Sequence, residues 1–334
     1  MIALKITVIV PIYNCELYLT DTLQSIQNQT FPDFECICVN DGSVDNSETI
    51  IDQFVENDKR FKKVNQLNLG VSAARNAGID LAKGEFLYFV DHDDLIVNNT
   101  LQNLLNAAEA YNADMSRGRM IMISENQALN DLPKQQEPTR SNLFENPLTD
   151  FYRNARKKNK TWCYIWQCLY RHSAIKGIRF LESLRSGRED NLFMYEVVAN
   201  IKNYVQIDSV VACHRRSSSS VMLGGYRPVQ IQMFDIAIPY VYQKYAMDTT
   251  IDKRLLWWVY HKESYAVYRF LIRNSIRSNQ DNLILLAREV FLKYKDTPEL
   301  EEIKKRWSYR QVLFYKLFMK KQYKLLRFFR ILMF

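Results

Sequence analysis

The stretch Lys5-Ile-Thr-Val-Ile-Val-Pro-Ile-Tyr-Asn14 contains an unbroken run of apolar and β-branched residues that ends at Pro11. A run without polar alternation is typical of a strand that is buried on both faces of a parallel sheet. Farther along, Leu19, Leu23 and Ile26 recur at helical spacing. The chain therefore opens with a predicted strand followed by a predicted helix, the order found in parallel α/β domains.

Strand, turn and helix recur in the same order along the following residues. Phe34–Val39 predicts a second strand, which Asn40-Asp-Gly-Ser43 ends sharply. Asp45 or Asn46 is suited to cap the next helix, whose apolar stripe includes Ile51 and Phe54. The remaining predictions are a short strand near Val64, a helix over 71–82 that Gly84 ends, a strand over 85–90, a helix over 100–111 and a strand over 115–123. This alternation predicts a doubly wound α/β domain with right-handed crossovers.

The pattern changes twice in the second half of the chain. Residues 124–147 are polar and include three prolines, which favours a loop. Regular structure is predicted to resume over 161–216, and from about Tyr226 the pattern becomes helical and aromatic. We therefore predict an α/β domain over residues 1–225 and a helical C-terminal region over residues 226–334.

The net charge of +8 comes from the C-terminal end of the chain. Residues 303–334 contain ten Lys or Arg and no Asp or Glu, whereas the rest of the chain carries 35 basic and 37 acidic residues. The net charge of residues 1–302 is therefore close to zero, which argues against nucleic acid as a partner, because nucleic-acid-binding proteins spread basic residues over a recognition face. In the tail, Leu317, Leu325 and Phe328 recur among the basic residues and predict a basic amphipathic helix. Such a helix either contacts an anionic membrane or packs on the protein itself.

The N-terminal stretch has no small-residue cleavage site, and no apolar run approaches the roughly 20 residues that cross a bilayer. Six cysteines, none in a CxxC pair, lie mostly in apolar stretches, which predicts buried free thiols in a reducing compartment. We therefore expect a cytoplasmic protein. Peripheral contact with the inner face of the cell membrane stays open.

Polar residues follow three of the predicted strands. Tyr13 and Asn14 follow the first strand, Asp41 follows the second, and Asp91 and Asp93 follow a later one. Ligands of open parallel sheets bind outside the carboxyl ends of the strands. A single polar residue after a strand usually makes only a turn or a cap, so the prediction of a binding site depends on their coincidence.

The segment Asp91-His-Asp93 places two carboxylates on one side of the chain, because residues two apart in extended backbone point the same way. Crowded like charges are unfavourable unless a cation lies between them or a proton is shared. One or two carboxylates, completed by substrate phosphates, are a typical site for a hard divalent ion. That ion would neutralise a departing diphosphate.

Four motifs, taken in order, resemble those of family 2 glycosyltransferases: Val10-Pro-Ile-Tyr-Asn14, Val39-Asn-Asp-Gly-Ser43, Asn68-Leu-Gly-Val-Ser-Ala-Ala-Arg-Asn-Ala-Gly78 and Asp91-His-Asp-Asp94. The resemblance is strong over roughly the first 100 residues. It extends more weakly through Trp166–Arg171 and Gly187–Asp190 to about Ser220. It implies the GT-A fold, a doubly wound mixed sheet flanked by helices, here followed by a helical region. It also implies a nucleoside-diphosphate sugar donor, a Mg²⁺ or Mn²⁺ ion and inversion at the anomeric carbon.

The resemblance also implies roles for individual residues. Asp41 would accept a hydrogen bond from the uracil-like edge of the base, and Asp91 would reach the ribose. Asp93 would ligate the metal together with Asp91, and Asp94 would support the loop or the sugar. His92 occupies the variable middle position, where a structural role is the alternative. The full predicted set for the nucleotide sugar is Pro11, Tyr13, Asn14, Glu16, Asp41, Arg75, Asp91 and His92.

The predicted general base is Asp190, which matches the Glu-Asp pair of the family within Arg188-Glu-Asp190. Glu189 would orient or tune it. The alternative for Asp190 is a cap at the start of a helix that begins at Asn191. Trp166 would form a wall on the acceptor side, with a place in the hydrophobic core as its alternative.

The sequence therefore predicts an inverting glycosyltransferase that moves a sugar from a UDP-sugar to a glycan or lipid-linked acceptor hydroxyl in surface-polysaccharide biosynthesis. A nucleotidyltransferase is the rival enzyme, but it would carry a Gly- and Lys/Arg-rich phosphate loop where this chain has Pro-Ile-Tyr-Asn-Cys15. The motifs GxG, GK[ST], HExxH and GxSxG do not occur in the sequence. A nucleotide-binding scaffold without turnover is the other alternative.

Overall fold

The computed structural model of the chain describes residues 4–127, 137–147, 164–184 and 189–216, and isolated positions at 129, 132, 150, 236, 240, 292, 312, 313, 316, 317 and 320. Residue contacts divide the chain into two compact units, Met1–Leu223 and Gly224–Phe334. The predicted basic helix lies almost wholly outside the described residues and stays a prediction.

The described residues of the first unit form nine strands and five α-helices. The strands are β1 Ile6–Ile12, β2 Phe34–Asn40, β3 Phe61–Asn65, β4 Phe86–Phe89, β5 Leu95–Ile96, β6 Met115–Ser124, β7 Ser141–Phe144, β8 Cys168–Arg171 and β9 Tyr204–Arg216. The helices are α1 Leu19–Gln27, α2 Ser47–Asn57, α3 Val71–Leu81, α4 Thr100–Ala110 and α5 Glu189–Asn200. The predicted alternation of strands and helices up to β6 is confirmed. Among these helices, none combines the length and the apolar character that crossing a bilayer requires.

All nine strands belong to one sheet, in the order β3-β2-β1-β4-β8-β6-β9-β5, with β7 also paired to β9. The neighbours β3, β2, β1 and β4 run parallel. Strand β8 is antiparallel to β4 and β6, whereas β6 and β9 are parallel. Helix α3 packs against β1 and β2, and α4 packs against β6 and β9. The predicted mixed sheet flanked by helices is therefore confirmed.

An aromatic cluster connects the centre of this sheet to helix α5. The ring of Phe89 in β4 contacts the rings of Tyr170, Phe180 and Phe193, with centroids 5.9, 5.5 and 5.7 Å away. Phe180 and Phe193 stack with centroids 4.1 Å apart. Burying each such side chain contributes about 1.5–3 kcal/mol to stability. Because Phe193 belongs to α5, the cluster anchors the helix that begins with Glu189 and Asp190.

The predicted loop over 124–147 is wrong for one segment, because β7 lies within it. Strand β7 pairs antiparallel with β9, with Phe144 opposite Tyr204, and these two rings stack with centroids 4.5 Å apart. The first three residues of β7 are exposed, so no buried face produces an alternating pattern in its sequence. Pairing with a distant strand, rather than a local signal, creates this element.

The prediction of buried free thiols is confirmed for the described cysteines. Cys15, Cys36, Cys38, Cys168 and Cys213 are all buried and free. Cys163 lies outside the described residues.

Gly84 lies between α3 and β4, where the chain passes close to β1. A Cβ on Gly84 would lie 2.4 Å from the backbone nitrogen of Thr7 and 2.7 Å from the carbonyl carbon of Ile6. The N–H of Gly84 also donates to Thr7 Oγ1 at 2.9 Å. Backbone atoms of a fully buried strand have little room to move aside. We expect Gly84→Ala to lower the free energy of unfolding by about 1–3 kcal/mol, as measured by urea denaturation.

Lys83→Ala is the matched control, because Lys83 is the exposed neighbour of Gly84. Its urea midpoint should stay close to that of the unmodified protein. Equal midpoints for the two variants would contradict the tight approach of Gly84 to β1.

Candidate active site

The loops that follow β1 and β2 are joined to each other at the carboxyl end of the sheet. Asn14 Oδ1 accepts from the backbone N–H of Val44 at 2.9 Å, and Glu16 Oε2 accepts from the backbone N–H of Asn46 at 3.0 Å. Tyr13, by contrast, is an exposed aromatic side chain beside them. Asn14 and Glu16 therefore shape the rim of the site, and contacts of these three residues with a nucleotide sugar stay predictions.

Pro11 and His92 lie deeper, where β1 approaches the acidic motif. His92 Nδ1 lies 3.1 Å from the carbonyl oxygen of Pro11. The backbone carbonyl of His92 accepts from Thr22 Oγ1 at 2.9 Å and from the thiol of Cys15 at 3.3 Å. These contacts support the structural alternative for His92, and binding of the nucleotide by Pro11 and His92 stays a prediction.

Asp41 joins the end of β2 to the start of α3. Its carboxylate is 3% exposed and accepts three hydrogen bonds. Oδ1 accepts from Gln66 Nε2 at 2.7 Å and from the backbone N–H of Leu69 at 2.9 Å, and Oδ2 accepts from the backbone N–H of Gly70 at 2.9 Å. Asp41 thus holds the N-terminus of α3 in place. A contact with a nucleotide base, which stays a prediction, would be made in addition to these three bonds.

Arg75 of α3 bridges two carboxylates that are far apart in sequence. Its Nη2 donates to Asp91 Oδ1 at 2.7 Å and its Nη1 donates to Glu189 Oε1 at 2.8 Å. The guanidinium is buried and lies over the ring of Phe180. Burial disfavours its charge, but the two carboxylates outweigh burial and raise the pKa of Arg75 above its usual value. Arg75 therefore connects the acidic motif after β4 to the start of α5, and direct contact with a nucleotide stays a prediction.

Helix α5 begins at Glu189, so Asp190 lies inside its first turn rather than before a helix that starts at Asn191. Asp190 Oδ1 accepts from the backbone N–H of Asn191 at 2.7 Å. Burial raises the pKa of Asp190 to about 6, the charge of Glu189 acts in the same direction, and Arg75 opposes both. A carboxylate with this pKa is ionised at neutral pH and able to accept a proton.

Glu189 has one oxygen bound to Arg75 and one buried oxygen, Oε2, without a hydrogen-bond partner within the described part of the chain. A buried acceptor without a partner is costly, which is expected where a ligand later supplies the donor. This observation is compatible with the predicted place of Glu189 at the reacting centre. Its orienting role stays a prediction.

The carboxylates of Asp91 and Asp93 differ in their surroundings. Asp91 Oδ1 is engaged by Arg75, whereas the side chain of Asp93 makes no hydrogen bond to any residue that the structure describes. No cluster of three or more His, Cys, Asp or Glu side chains in the described ranges could hold a metal ion by itself. Mg²⁺ and Mn²⁺ favour oxygen ligands, and nucleotide sites often complete the shell with phosphates. The donor set therefore fits a divalent ion that binds together with the substrate.

Asp94 has partners that sequence reasoning missed. Its carboxylate is buried and accepts from His214 Nδ1 at 2.8 Å and from the backbone N–H of Arg215 at 3.0 Å. The hydrogen bond to Asp94 raises the pKa of His214, while burial lowers it. Asp94 thus joins the acidic motif to the end of β9. The only sequence signal was a pair of polar residues, His214 and Arg215, directly after the apolar run of β9.

Trp166 lies in the middle of a stack of three rings. Trp166 is 5% exposed, and its ring centroid lies 4.5 Å from that of Tyr164 on one side and 5.2 Å from that of His214 on the other. The backbone carbonyl of Trp166 accepts from Tyr88 Oη at 2.7 Å. The buried ring supports the core alternative for Trp166, since it holds His214 in place beside Asp94. Its contact with an acceptor stays a prediction.

The mixed sheet and the helices that flank it define an α/β protein of the GT-A type. The chain belongs to glycosyl transferase family 2, whose sequence model matches residues 7–179.

Two curated relatives come from Bacillus subtilis (strain 168). The chain is 30% identical to the uncharacterized glycosyltransferase EpsJ over 225 residues, which are 67% of this chain and 64% of EpsJ. It is 31% identical over 202 residues to the minor teichoic acid biosynthesis protein GgaB, covering 59% of this chain and 21% of GgaB. The chain therefore spans less than two thirds of the length of either relative.

A solved structure has the same fold. The crystal structure of Staphylococcus aureus TarS 1–349 in complex with UDP-GlcNAc matches with a TM-score of 0.64 and 22% identity, over 86% of this chain and 80% of that one. At this identity the match shows the GT-A fold and carries no ligand across to this chain.

Proposed function

We propose that this chain is an inverting glycosyltransferase of cell-surface polysaccharide biosynthesis. It transfers a sugar from a nucleoside-diphosphate sugar, with UDP as the nucleotide, to a hydroxyl of a glycan or lipid-linked acceptor. The observation that carries the proposal is the bridge from Asp91 through Arg75 to Glu189. It unites the acidic motif after β4 with the helix of Asp190 in one site. Membership of family 2 supports the reaction class, the name of GgaB supports the surface-polymer product, and the UDP-GlcNAc bound to TarS supports the donor.

The proposed reaction is a single displacement at the anomeric carbon of the donor sugar. Asp190 takes the proton of the acceptor hydroxyl as the hydroxyl oxygen attacks the face opposite the diphosphate. The new carbon–oxygen bond forms while the bond to the diphosphate oxygen breaks, and the nucleoside diphosphate departs with both electrons of that bond. Attack from the opposite face inverts the configuration of that carbon.

The other residues of the site prepare this step. Arg75 donates to Asp91 at 2.7 Å and to Glu189 at 2.8 Å. These two bonds fix the distance between Asp91, which would face the sugar donor, and the helix that carries the general base Asp190. Asp93 and Asp91 are the residues that would hold Mg²⁺ or Mn²⁺. When bound, that ion offsets the negative charge that develops on the leaving diphosphate.

Calorimetric titration with UDP, GDP, UDP-GlcNAc and GDP-mannose, each with Mn²⁺ or with a chelator, tests this proposal. We expect UDP and its sugar conjugate to bind only with Mn²⁺. Asp93→Asn should weaken this binding by at least about tenfold, since even the outer partners of metal ligands contribute about 10–100-fold to metal affinity. The substitution keeps the size of the side chain and removes only its charge.

Asp80→Asn makes the same charge change at an exposed aspartate, which pairs with Arg179 on the surface, and should bind like the unmodified protein. UDP binding that persists with the chelator would contradict the metal role. Binding of GDP in place of UDP would overturn the assigned donor. Nucleotide binding without slow release of UDP from UDP-GlcNAc to water would favour a scaffold without turnover, and no binding of any nucleotide would contradict the proposed function.

A further inference from the structure

We propose that Arg215 is a positioning residue that holds the backbone of Asp93 in the geometry needed for a divalent ion and the donor diphosphate. This inference rests on the proposed function. Arg215 is the next to last residue of β9 and lies 122 positions from Asp93 in the sequence.

The Arg215 side chain is 2% exposed and donates to three separate segments around the acidic motif. Its Nε donates to the backbone carbonyl of Asp93 at 3.2 Å. Its Nη1 donates to the backbone carbonyl of Glu125 at 2.6 Å, and its Nη2 donates to the carboxylate of Asp21 at 3.2 Å. One guanidinium thus connects the acidic motif, the segment after β6 and helix α1.

The contact with Asp93 acts on the backbone and leaves the side chain available. Within the described residues the Asp93 carboxylate has no hydrogen bond, so the contact from Arg215 to the backbone is what positions this residue. The backbone N–H of Arg215 also donates to Asp94 Oδ1 at 3.0 Å, which anchors the next residue of the motif. Arg215 therefore fixes two consecutive residues of the motif from the same strand end.

Tyr18 extends this network on the other side of the guanidinium. The guanidinium carbon of Arg215 lies 5.1 Å from the centroid of the Tyr18 ring. The Tyr18 hydroxyl donates to Glu125 Oε1 at 2.6 Å. The segment after β6 is consequently held through both its backbone and a side chain.

The geometry of these contacts requires a guanidinium. Three acceptors in different directions match the planar fork of arginine, whereas a lysine ammonium is a point charge at the end of a flexible stem. Arg215→Lys keeps the charge and loses the fork, and Arg215→Gln loses both. Since Arg216 is the exposed next residue of the same strand, Arg216→Gln is the matched control.

The first measurement is the Mn²⁺ concentration that gives half-maximal UDP binding. We expect Arg215→Lys and Arg215→Gln each to raise it by about tenfold, the lower end of the effect of outer-shell partners on metal affinity. Arg216→Gln should leave it unchanged. Tyr18→Phe removes only the hydroxyl that donates to Glu125 and should raise the half-maximal Mn²⁺ concentration by a smaller factor. This variant tests the inference if both Arg215 variants fail to fold.

The second measurement is hydrogen–deuterium exchange of the metal-free proteins. Peptides that contain Asp93–Asp94 and Glu125–Gln127 should exchange faster in the Arg215 variants than in Arg216→Gln. Variants that melt at a lower temperature but keep the half-maximal Mn²⁺ concentration would show a purely structural role and overturn the inference. If the unmodified protein shows no Mn²⁺-dependent UDP binding, that result would refute the proposed function instead. Unchanged exchange at Asp93–Asp94 in the Arg215 variants would independently refute the claim that Arg215 positions this segment.

Discussion

Asp190→Asn is expected to lower kcat by about 10²–10⁴-fold, the usual contribution of a positioned general base. The amide keeps the size of the carboxylate and its hydrogen bond with Asn191, but it does not take the proton of the acceptor hydroxyl. Binding of the nucleotide sugar should change little, because Asp190 acts on the acceptor side of the reaction. Calorimetry for UDP binding, together with the rate of UDP release from the donor, separates the two effects.

Asp80→Asn again makes the same charge change at an exposed position and should keep full kcat. An Asp190→Asn variant that retains more than about a tenth of the unmodified kcat would contradict the assignment of Asp190 as the base.

The pH dependence of kcat/KM checks the same assignment. Burial raises the pKa of Asp190 to about 6, with Glu189 adding to the effect and Arg75 opposing it. The base acts only when deprotonated, so kcat/KM should fall about tenfold per pH unit below pH 6 and level off above about pH 7. A profile that is flat between pH 5 and pH 8, or an inflection near 6 that persists in Asp190→Asn, would assign the proton transfer to another group.

Arg75→Gln is expected to lower the free energy of unfolding by about 3–5 kcal/mol at neutral pH, the range for removing one partner of a buried ion pair. The side chains of Arg75 and Glu189 are 4% and 8% exposed, so the loss of the guanidinium leaves a buried carboxylate without its counter-charge. Asp91 loses its partner as well. Urea denaturation measures the change.

Arg179→Gln is the matched control, because Arg179 pairs with Asp80 at 2.8 Å on the surface, with 42% of its side chain exposed. Such a pair contributes about 0–1 kcal/mol. The double variant Arg75→Gln with Glu189→Gln should be more stable than Arg75→Gln alone, because it removes the stranded charge. Equal losses for Arg75→Gln and Arg179→Gln would show that the bridge is not a buried ion pair in solution.

The parallel half of the sheet was predictable from local patterns. The apolar runs of β1, β2 and β4 are buried on both faces, and a strand of that kind needs no polar alternation. Turn residues after each strand marked its end, and helical spacing marked α1 to α4. Because the carboxyl ends of parallel strands meet at one edge, the sequence also predicted that Asp41, Asp91 and Asp93 follow strands at the same edge of the sheet.

The antiparallel strands β5 and β7 were much less predictable. Strand β7 has three exposed residues and exists because its backbone pairs with β9, more than 50 positions away. Two-residue β5 is too short to carry a periodic signal, and it likewise depends on pairing with β9. The sequence pattern of a short segment does not indicate which distant strand its backbone will pair with.

The amino-acid sequence by itself determined the kinds of groups in the site: aspartates after strands, an arginine in α3 and a Glu-Asp pair at the start of an apolar helix. The tertiary structure decided how they are used. It directed Asp41 to the start of α3, placed Arg75 between carboxylates that include one 114 positions away, and brought His214 to Asp94 across 120 positions. Local sequence patterns report which faces are buried and where the chain turns. The direction in which a buried polar group finds its partner depends on the packing of distant segments, because each such group must be satisfied by whatever donor or acceptor the folded chain brings beside it.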